Sequence, residues 1–313
     1  MAERITEDVP RFWEAFEHID APDAAGHVQR LYLDPGSPGV RAFTPERIVS
    51  AEHLVKVVRS RRAFYGSIRE RSLATIREVR PRLEAVLKRM GEVIPGAPDN
   101  DVYFVIGALN SGGTLGRDGE RAFAVIGLEF FSGGPAIAPQ ELNDWERSVL
   151  MTPDALPAIV AHELIHTLQP HLPEHVPGLL LSCLAEGAAD YLGQLVSGEV
   201  INRRIYEYGL AHEDELRARF QADLAAGAGP EAWLYQGNKA QGEPADLGYF
   251  MGARIMRAYH ERHRKDPDVI HDLLHLALGR ARGVHATKRL LEMNAARPAL
   301  QHELTNLGGK CCL

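Results

Sequence analysis

Two apolar stretches that carry ionisable side chains constrain this chain more than any other feature. Residues 157–168 read PAIVAHELIHTL, and residues 179–195 read LLLSCLAEGAADYLGQL. Both have the length and composition of buried helices. Yet the first holds His162, Glu163 and His166, and the second holds Glu186 and Asp190. A charge left unpartnered in apolar surroundings is costly, so the fold must supply partners. The segment between the two is broken by Pro170, Pro173 and Pro177 and is long enough to reverse direction. The two helices are therefore expected to pack side by side, with Glu186 brought to the histidines.

The spacing inside these helices points to a metal. At about 100° per residue, His162 and His166 lie within roughly 40° of each other and one turn apart, so both imidazoles can reach one ion. Glu163 is rotated to the flank, where its carboxylate reaches a water on the metal rather than the metal itself. A catalytic zinc needs a third protein ligand and an open fourth position. Glu186 is placed to be that ligand, and the small Gly187, Ala188 and Ala189 beside it permit a close backbone approach. Asp190, one turn further on, is placed to accept the outer N–H of a ligating histidine. The expectation is one Zn2+ per chain, on His162, His166 and Glu186.

The rest of the chain sets the frame. A 313-residue sequence with 45% hydrophobic residues has enough apolar surface to offset the ordering of the chain. Its 35 basic against 42 acidic side chains leave a net charge of −7, which argues against nucleic acid or anionic lipid as partners. Arginines at 59, 61, 62, 69, 71, 77, 80 and 82 are interleaved with acids and read as a solvated helix face. No apolar run approaches the roughly 20 residues that cross a bilayer, and the first twenty residues are acidic and amphipathic. These features predict a cytoplasmic protein. The three cysteines, Cys183, Cys311 and Cys312, form no disulfide framework.

The pattern of elements predicts an α+β fold, mostly helical, with a small mixed sheet. Residues 1–98 read as a helical region: Phe12, Phe16 and Ile19 keep helical spacing, and Thr44-Pro45-Glu46 has the form of a helix start. Pro81 is expected to break or kink the helix around it. Residues 101–107 and 122–127 read as strands joined by a Gly-rich loop. That loop, 107–114, lacks the lysine of a phosphate-binding loop and leads to a strand rather than a helix, so it reads as a turn beside a cleft. Helices are expected to start near Asp154 and to cover 179–195, 247–263 and 268–278. The expected units are 1–98, a catalytic domain over 99–264, and a helical extension with a free tail over 265–313.

His162-Glu163-x-x-His166, a glutamate twenty positions later and an aspartate four beyond that resemble the gluzincin, or thermolysin-type, metallopeptidase pattern. With VYFVIGALNSGGT, VAHELIHTLQP, LAEGAADYL and GYFMGARIM in that order, residues 101–259 resemble a bacterial family of uncharacterised zinc-dependent proteases. The resemblance implies a zincin-like fold, with the sheet above an active-site helix. It also implies His162, His166 and Glu186 as ligands, Glu163 as general base and Asp190 as support for a histidine. In gluzincins a Tyr or His from a later helix faces the oxyanion; Tyr249 is the candidate here, with His212 and His260 weaker ones. A strand upstream of the zinc helix pairs with the substrate backbone in that family, a place that residues 122–131 would take. Glu129 within it faintly resembles the amine-holding glutamate of zinc aminopeptidases, and otherwise reads as a strand-end charge.

The function expected from these features is hydrolysis of peptide bonds in a peptide or protein substrate, with Glu163 taking the proton of an activated water. Two alternatives stay open: a zincin-fold protein that binds peptides or partners without catalysis, and a zinc hydrolase of a non-peptide amide or ester. No motif fixes an oligomeric state, a natural substrate or an endo- or exopeptidase mode.

Overall fold

The computed structural model describes residues 4–169 and 178–276. The chain opens with a two-residue strand, β1 (Arg4–Ile5), and runs into α1 (Asp8–Phe16), where Val9, Phe12 and Phe16 are buried as their spacing predicts. Two short helices follow, α2 (Ala24–Val28) and α3 (Pro38–Phe43), and then α4 (Ala51–Ser60) and the long α5 (Arg62–Val93). Three strands come next: β2 (Val102–Val105), β3 (Gly113–Asp118) and β4 (Arg121–Gly127). The remainder is helical: α6 (Asp144–Val149), α7 (Leu156–Leu168), α8 (Gly178–Ser197), α9 (Arg203–Ala211), α10 (Glu213–Ala225), α11 (Gly248–His263) and α12 (Val269–Leu274). The architecture is α+β, mostly helical, with one small mixed sheet.

The sheet has the order β1-β2-β4-β3. β1 and β2, and β2 and β4, are parallel; β3 and β4 form an antiparallel hairpin with Thr114 opposite Val125. β2 and β4 are buried along almost their whole length, as a strand covered on both faces must be. β3 is polar and lies at the edge. This corrects one expectation. Residues 122–131 are not an edge strand: β4 is paired on both sides, and Leu128–Phe131 turns off as a short 3-10 segment. The free edge belongs to β3, which the sequence assigned to a loop because its glycines and charges carry no apolar alternation.

The N-terminal helix start is also different. Thr44 has helical backbone angles, and its hydroxyl donates back to the Val40 carbonyl at 2.7 Å, as mid-helix threonines do. The chain then makes a π-helical turn over Thr44–Ile48, and α4 starts at Ala51 with Ser50 as its cap, accepting from His53 N. Pro81 does not break α5, which runs through it from Arg62 to Val93 and packs on α7 and α8. The arginine run is partly a set of clamps rather than a free face. Arg61 pairs with Glu146, Arg69 with Glu17, and Arg82 with Asp154 and Glu199.

One continuous apolar core reaches from Val9 to Leu274, with Phe12, Tyr32, Phe43, Tyr65, Phe104 and Trp233 wholly buried in it. α7 lies between the β3/β4 hairpin and α8, and α8 lies between α7 and α11. Almost every residue of α7 is buried, which its lack of a polar face predicts. Gly187 of α8 sits on the backbone of Gly252 in α11, and any side chain at either position would strike the other helix. The approach that Gly187 permits is therefore to α11; α8 meets α7 through Gly193, which lies against the His162 backbone. The expected helix over 268–278 is seen as α12, whose continuation past 276, like the proline-rich 170–177 segment and the tail with Cys311 and Cys312, lies outside the described residues. Among the described residues, no helix is long and apolar enough to cross a membrane.

Candidate metal centre

α7 and α8 bring three donor atoms together. His162 Nε2 and His166 Nε2 lie 3.0 Å apart, and Glu186 Oε2 is 3.2 Å from the second and 3.5 Å from the first. Donors bonded tetrahedrally to zinc at about 2.0–2.1 Å are separated by about 3.3–3.4 Å, so the triangle has the size that an ion requires. Among the described residues this is the one group of three or more His, Cys, Asp or Glu side chains close enough to share an ion.

The outer nitrogens decide what the inner ones can do. His166 Nδ1 is 2.8 Å from Gln169 Oε1, and the Gln169 amide donates its Nε2–H to the Ala185 carbonyl at 2.8 Å. The Gln169 oxygen can only accept, so the proton of a neutral His166 sits on Nδ1 and its Nε2 offers a lone pair. His162 Nδ1 is 2.8 Å from Asp190 Oδ1, short but off the line of a well-aligned hydrogen bond. The buried Asp190 is held in turn by the Tyr206 hydroxyl at 3.0 Å. That carboxylate again favours a proton on Nδ1 and a lone pair on Nε2. Two lone pairs and a carboxylate oxygen thus converge with no donor between them. Such a set repels itself unless a metal ion, or the proton of a charged imidazole, occupies the gap.

The titration behaviour says the same. Burial disfavours charge on both imidazoles, but Asp190 and Glu186 outweigh it at His162, and Glu186 outweighs it at His166, so both basicities rise. Burial works against the Glu186 carboxylate as well, and the two histidines override it and hold its pKa well below the usual range. The centre is built to hold positive charge.

Glu163 is buried beside the triangle. Burial raises its carboxyl pKa, and His162 and His166 pull it part of the way back. Such an environment makes a carboxylate a stronger base than it is in water. Gly113 of the edge strand is pressed against this carboxylate, and a Cβ there would overlap it. Of the side chains the sequence singles out, His162, His166, Glu186, Glu163 and Asp190 are all brought together. Tyr249, in the first turn of α11, has its ring 6.1 Å from that of His162, and burial with the nearby Glu186 raises its hydroxyl pKa well above the usual value.

Others are placed elsewhere. His212 ends α9, its Nδ1 on the Tyr208 carbonyl, and His260 bonds the Tyr191 hydroxyl. Glu129 is neither a strand-end charge nor free to hold a substrate amine. It is wholly buried, its Oε1 accepting from Leu109 N at 3.3 Å, and burial pushes its pKa up to about 7. Sequence reasoning missed Gln169 and Tyr235. The Tyr235 hydroxyl donates to Glu186 Oε1 at 3.1 Å although 65% of the residue is exposed, and its backbone is held at φ 59°. Gln169, three residues past His166, could have been found as the next group on the same helix face; nothing in the sequence around Tyr235 signals its position.

No family model matches the chain, and no characterised protein matches it by sequence.

Proposed function

We propose that this chain is a zinc-dependent hydrolase of peptide bonds, with His162, His166 and Glu186 holding the ion. The observation that carries the reading is the convergence of His162 Nε2, His166 Nε2 and Glu186 Oε2 within 3.0–3.5 Å, each histidine turned by a partner on its outer nitrogen. The order of the motifs, which resembles the gluzincin pattern, supports the same assignment. A zincin-like arrangement is supported by the packing of α7 between the β3/β4 hairpin and α8.

A zinc ion bound there supplies Lewis acidity and lowers the pKa of water from 15.7 toward about 7. The chain's own residues do the remainder. Glu163 takes the proton of the attacking water and carries it to the leaving amine. Its burial, and the close backbone of Gly113, keep the carboxylate in one place for both transfers. Asp190 and Gln169 hold the two imidazoles in orientation. Tyr249, beside Glu186, is the hydroxyl that would donate to a developing oxyanion; the Tyr235 O–H is already given to Glu186. β3, the last strand of the sheet with its Gly113 against Glu163, is the strand that an extended peptide would pair with.

A fixed carboxylate at 163 favours catalysis over a purely binding role, since folding requires no base there. The test is zinc content together with cleavage of a peptide library by wild type and Glu163→Gln. The variant is expected to hold its zinc and lose cleavage. Equal cleavage by both removes the enzyme reading, and absence of zinc from both removes the metal.

A further inference from the structure

We propose that Tyr235 is a positioning residue for the zinc centre: by holding Glu186 Oε1, its hydroxyl limits Glu186 to one oxygen on the ion and so keeps the fourth coordination place open. The inference rests on the zinc reading above and goes beyond it, because it concerns how many atoms of Glu186 the ion can take.

The two oxygens of Glu186 have different partners. Oε2 is 3.2 Å from His166 Nε2 and 3.5 Å from His162 Nε2, so it belongs to the triangle. Oε1 accepts the Tyr235 O–H at 3.1 Å. An unrestrained carboxylate can offer a metal one oxygen or both. To bring Oε1 onto the ion as well, the Glu186 carboxylate must turn and give up the tyrosine. A catalytic zinc takes three protein atoms and needs its fourth place free. Two imidazole nitrogens and one carboxylate oxygen make three; a second oxygen would take the free place or crowd it. A hydrogen bond to a ligating carboxylate is an ordinary means of fixing its orientation.

The hydroxyl can do this only if the tyrosine stays where it is. With 65% of the residue exposed, Tyr235 adds little to the core, and its own packing does not hold it. The backbone on either side does. Trp233 and Leu234, just before it, are buried, and the Trp233 indole donates to Asp223 Oδ2 at 2.8 Å. The Trp233 carbonyl accepts from Gly248 N at 2.9 Å, which ties this segment to the start of α11. Just after Tyr235, Gln236 and Asp246 bond each other twice: Gln236 N donates to Asp246 Oδ1 at 2.8 Å, and Asp246 N donates to Gln236 Oε1 at 3.0 Å. That pair closes the 236–246 segment at its neck. Tyr235 at φ 59° and Asp246 at φ 68° have left-handed backbones, which persist in residues other than glycine where surrounding structure enforces them. The hydroxyl is thus delivered to Oε1 by a segment fastened at both ends.

The test is a pair of crystal structures of full-length, zinc-loaded protein, wild type and Tyr235→Phe, fine enough to separate the two carboxylate oxygens. The substitution keeps the ring and removes one hydroxyl. Wild type is expected to show Glu186 Oε2 alone on zinc, with Oε1 on Tyr235. Tyr235→Phe is expected to show both oxygens on the ion. If the variant gives no crystals, zinc-minus-apo infrared spectra in solution read the same change. In Glu163→Gln protein with isotope-labelled glutamate, the gap between the two carboxylate stretches of Glu186 narrows when both oxygens bind. A Tyr235→Phe protein whose Glu186 still gives zinc one oxygen overturns the proposal and leaves the zinc reading intact, as does a wild type in which both oxygens already bind. Absence of zinc from wild type overturns both.

Discussion

Two carboxyl groups in this molecule, Glu186 and Glu129, differ in one respect that explains the centre. Both are withdrawn from water, Glu129 wholly and Glu186 nearly so. At Glu129 burial prevails: a few backbone N–H groups face it, its Oε2 has no partner, and its pKa rises to about 7. At Glu186 the same burial is overridden by two imidazoles, and the carboxylate stays ionised far below the usual range. Burial pushes an acid toward its neutral form; positive charge and hydrogen bonds to the ionised form oppose it. At the α7–α8 seam the imidazoles hold the carboxylate ionised, whereas behind the Gly-rich segment burial pushes a carboxyl group toward its neutral form.

That contrast can be broken by substitution. The largest effect is expected from Glu163→Gln, which keeps the shape of the site and removes the proton acceptor. Hydrolysis should fall by about 10²–10⁴-fold with zinc content unchanged, measured by turnover beside elemental analysis. Next comes Glu186→Gln, which removes the charge the histidines stabilise. Zinc affinity should drop by more than about a hundredfold in competition with a fluorescent chelator, since a ligand counts for more than its supports. Asp190→Asn and Gln169→Ala act one bond further out. Each should weaken zinc by about 10–100-fold, and an unchanged affinity would mean that the outer nitrogens do not set the imidazoles.

Glu129→Gln gives the smallest and most diagnostic change. Its folded pKa of about 7 lies above the 4.5 of an ordinary glutamate, so the folded state holds this proton longer than the unfolded one. Its contribution is complete below about pH 4.5 and is lost as pH rises through 7. The substitution should flatten that fall and stabilise the protein at pH 8 by on the order of 2 kcal/mol relative to its effect at pH 5, read from denaturant titrations at the two values. If Glu129→Gln instead destabilises more at pH 8 than at pH 5, the carboxyl is ionised in the fold and the contrast fails.

Much of the centre was legible in the sequence because its chemistry is local. His162, Glu163 and His166 lie on one helix, where 3.6 residues per turn fixes their directions, and Glu186 and Asp190 stand out as acids in an apolar run. The mostly helical α+β class follows from the same periodicity. What escaped depends on pairing at a distance. β3 is Gly113-Thr-Leu-Gly-Arg-Asp118, with neither alternation nor β-branched density, and becomes a strand only because β4 offers it a partner. For the same reason the edge was assigned to β4, the more strand-like of the two. Thr44 satisfied the rule for a helix start, but its hydroxyl found the Val40 carbonyl instead. Tyr235 reaches Glu186 across 49 residues from a turn with φ 59°, so it leaves no local mark.

The most direct measurement is native mass spectrometry of purified protein, with X-ray absorption to count the nitrogen and oxygen donors around any ion. The account predicts one zinc per chain bound by two imidazoles and a carboxylate in wild type and in Glu163→Gln, and none in His166→Ala. Wild type without zinc, or zinc retained at full stoichiometry by His166→Ala, would contradict it.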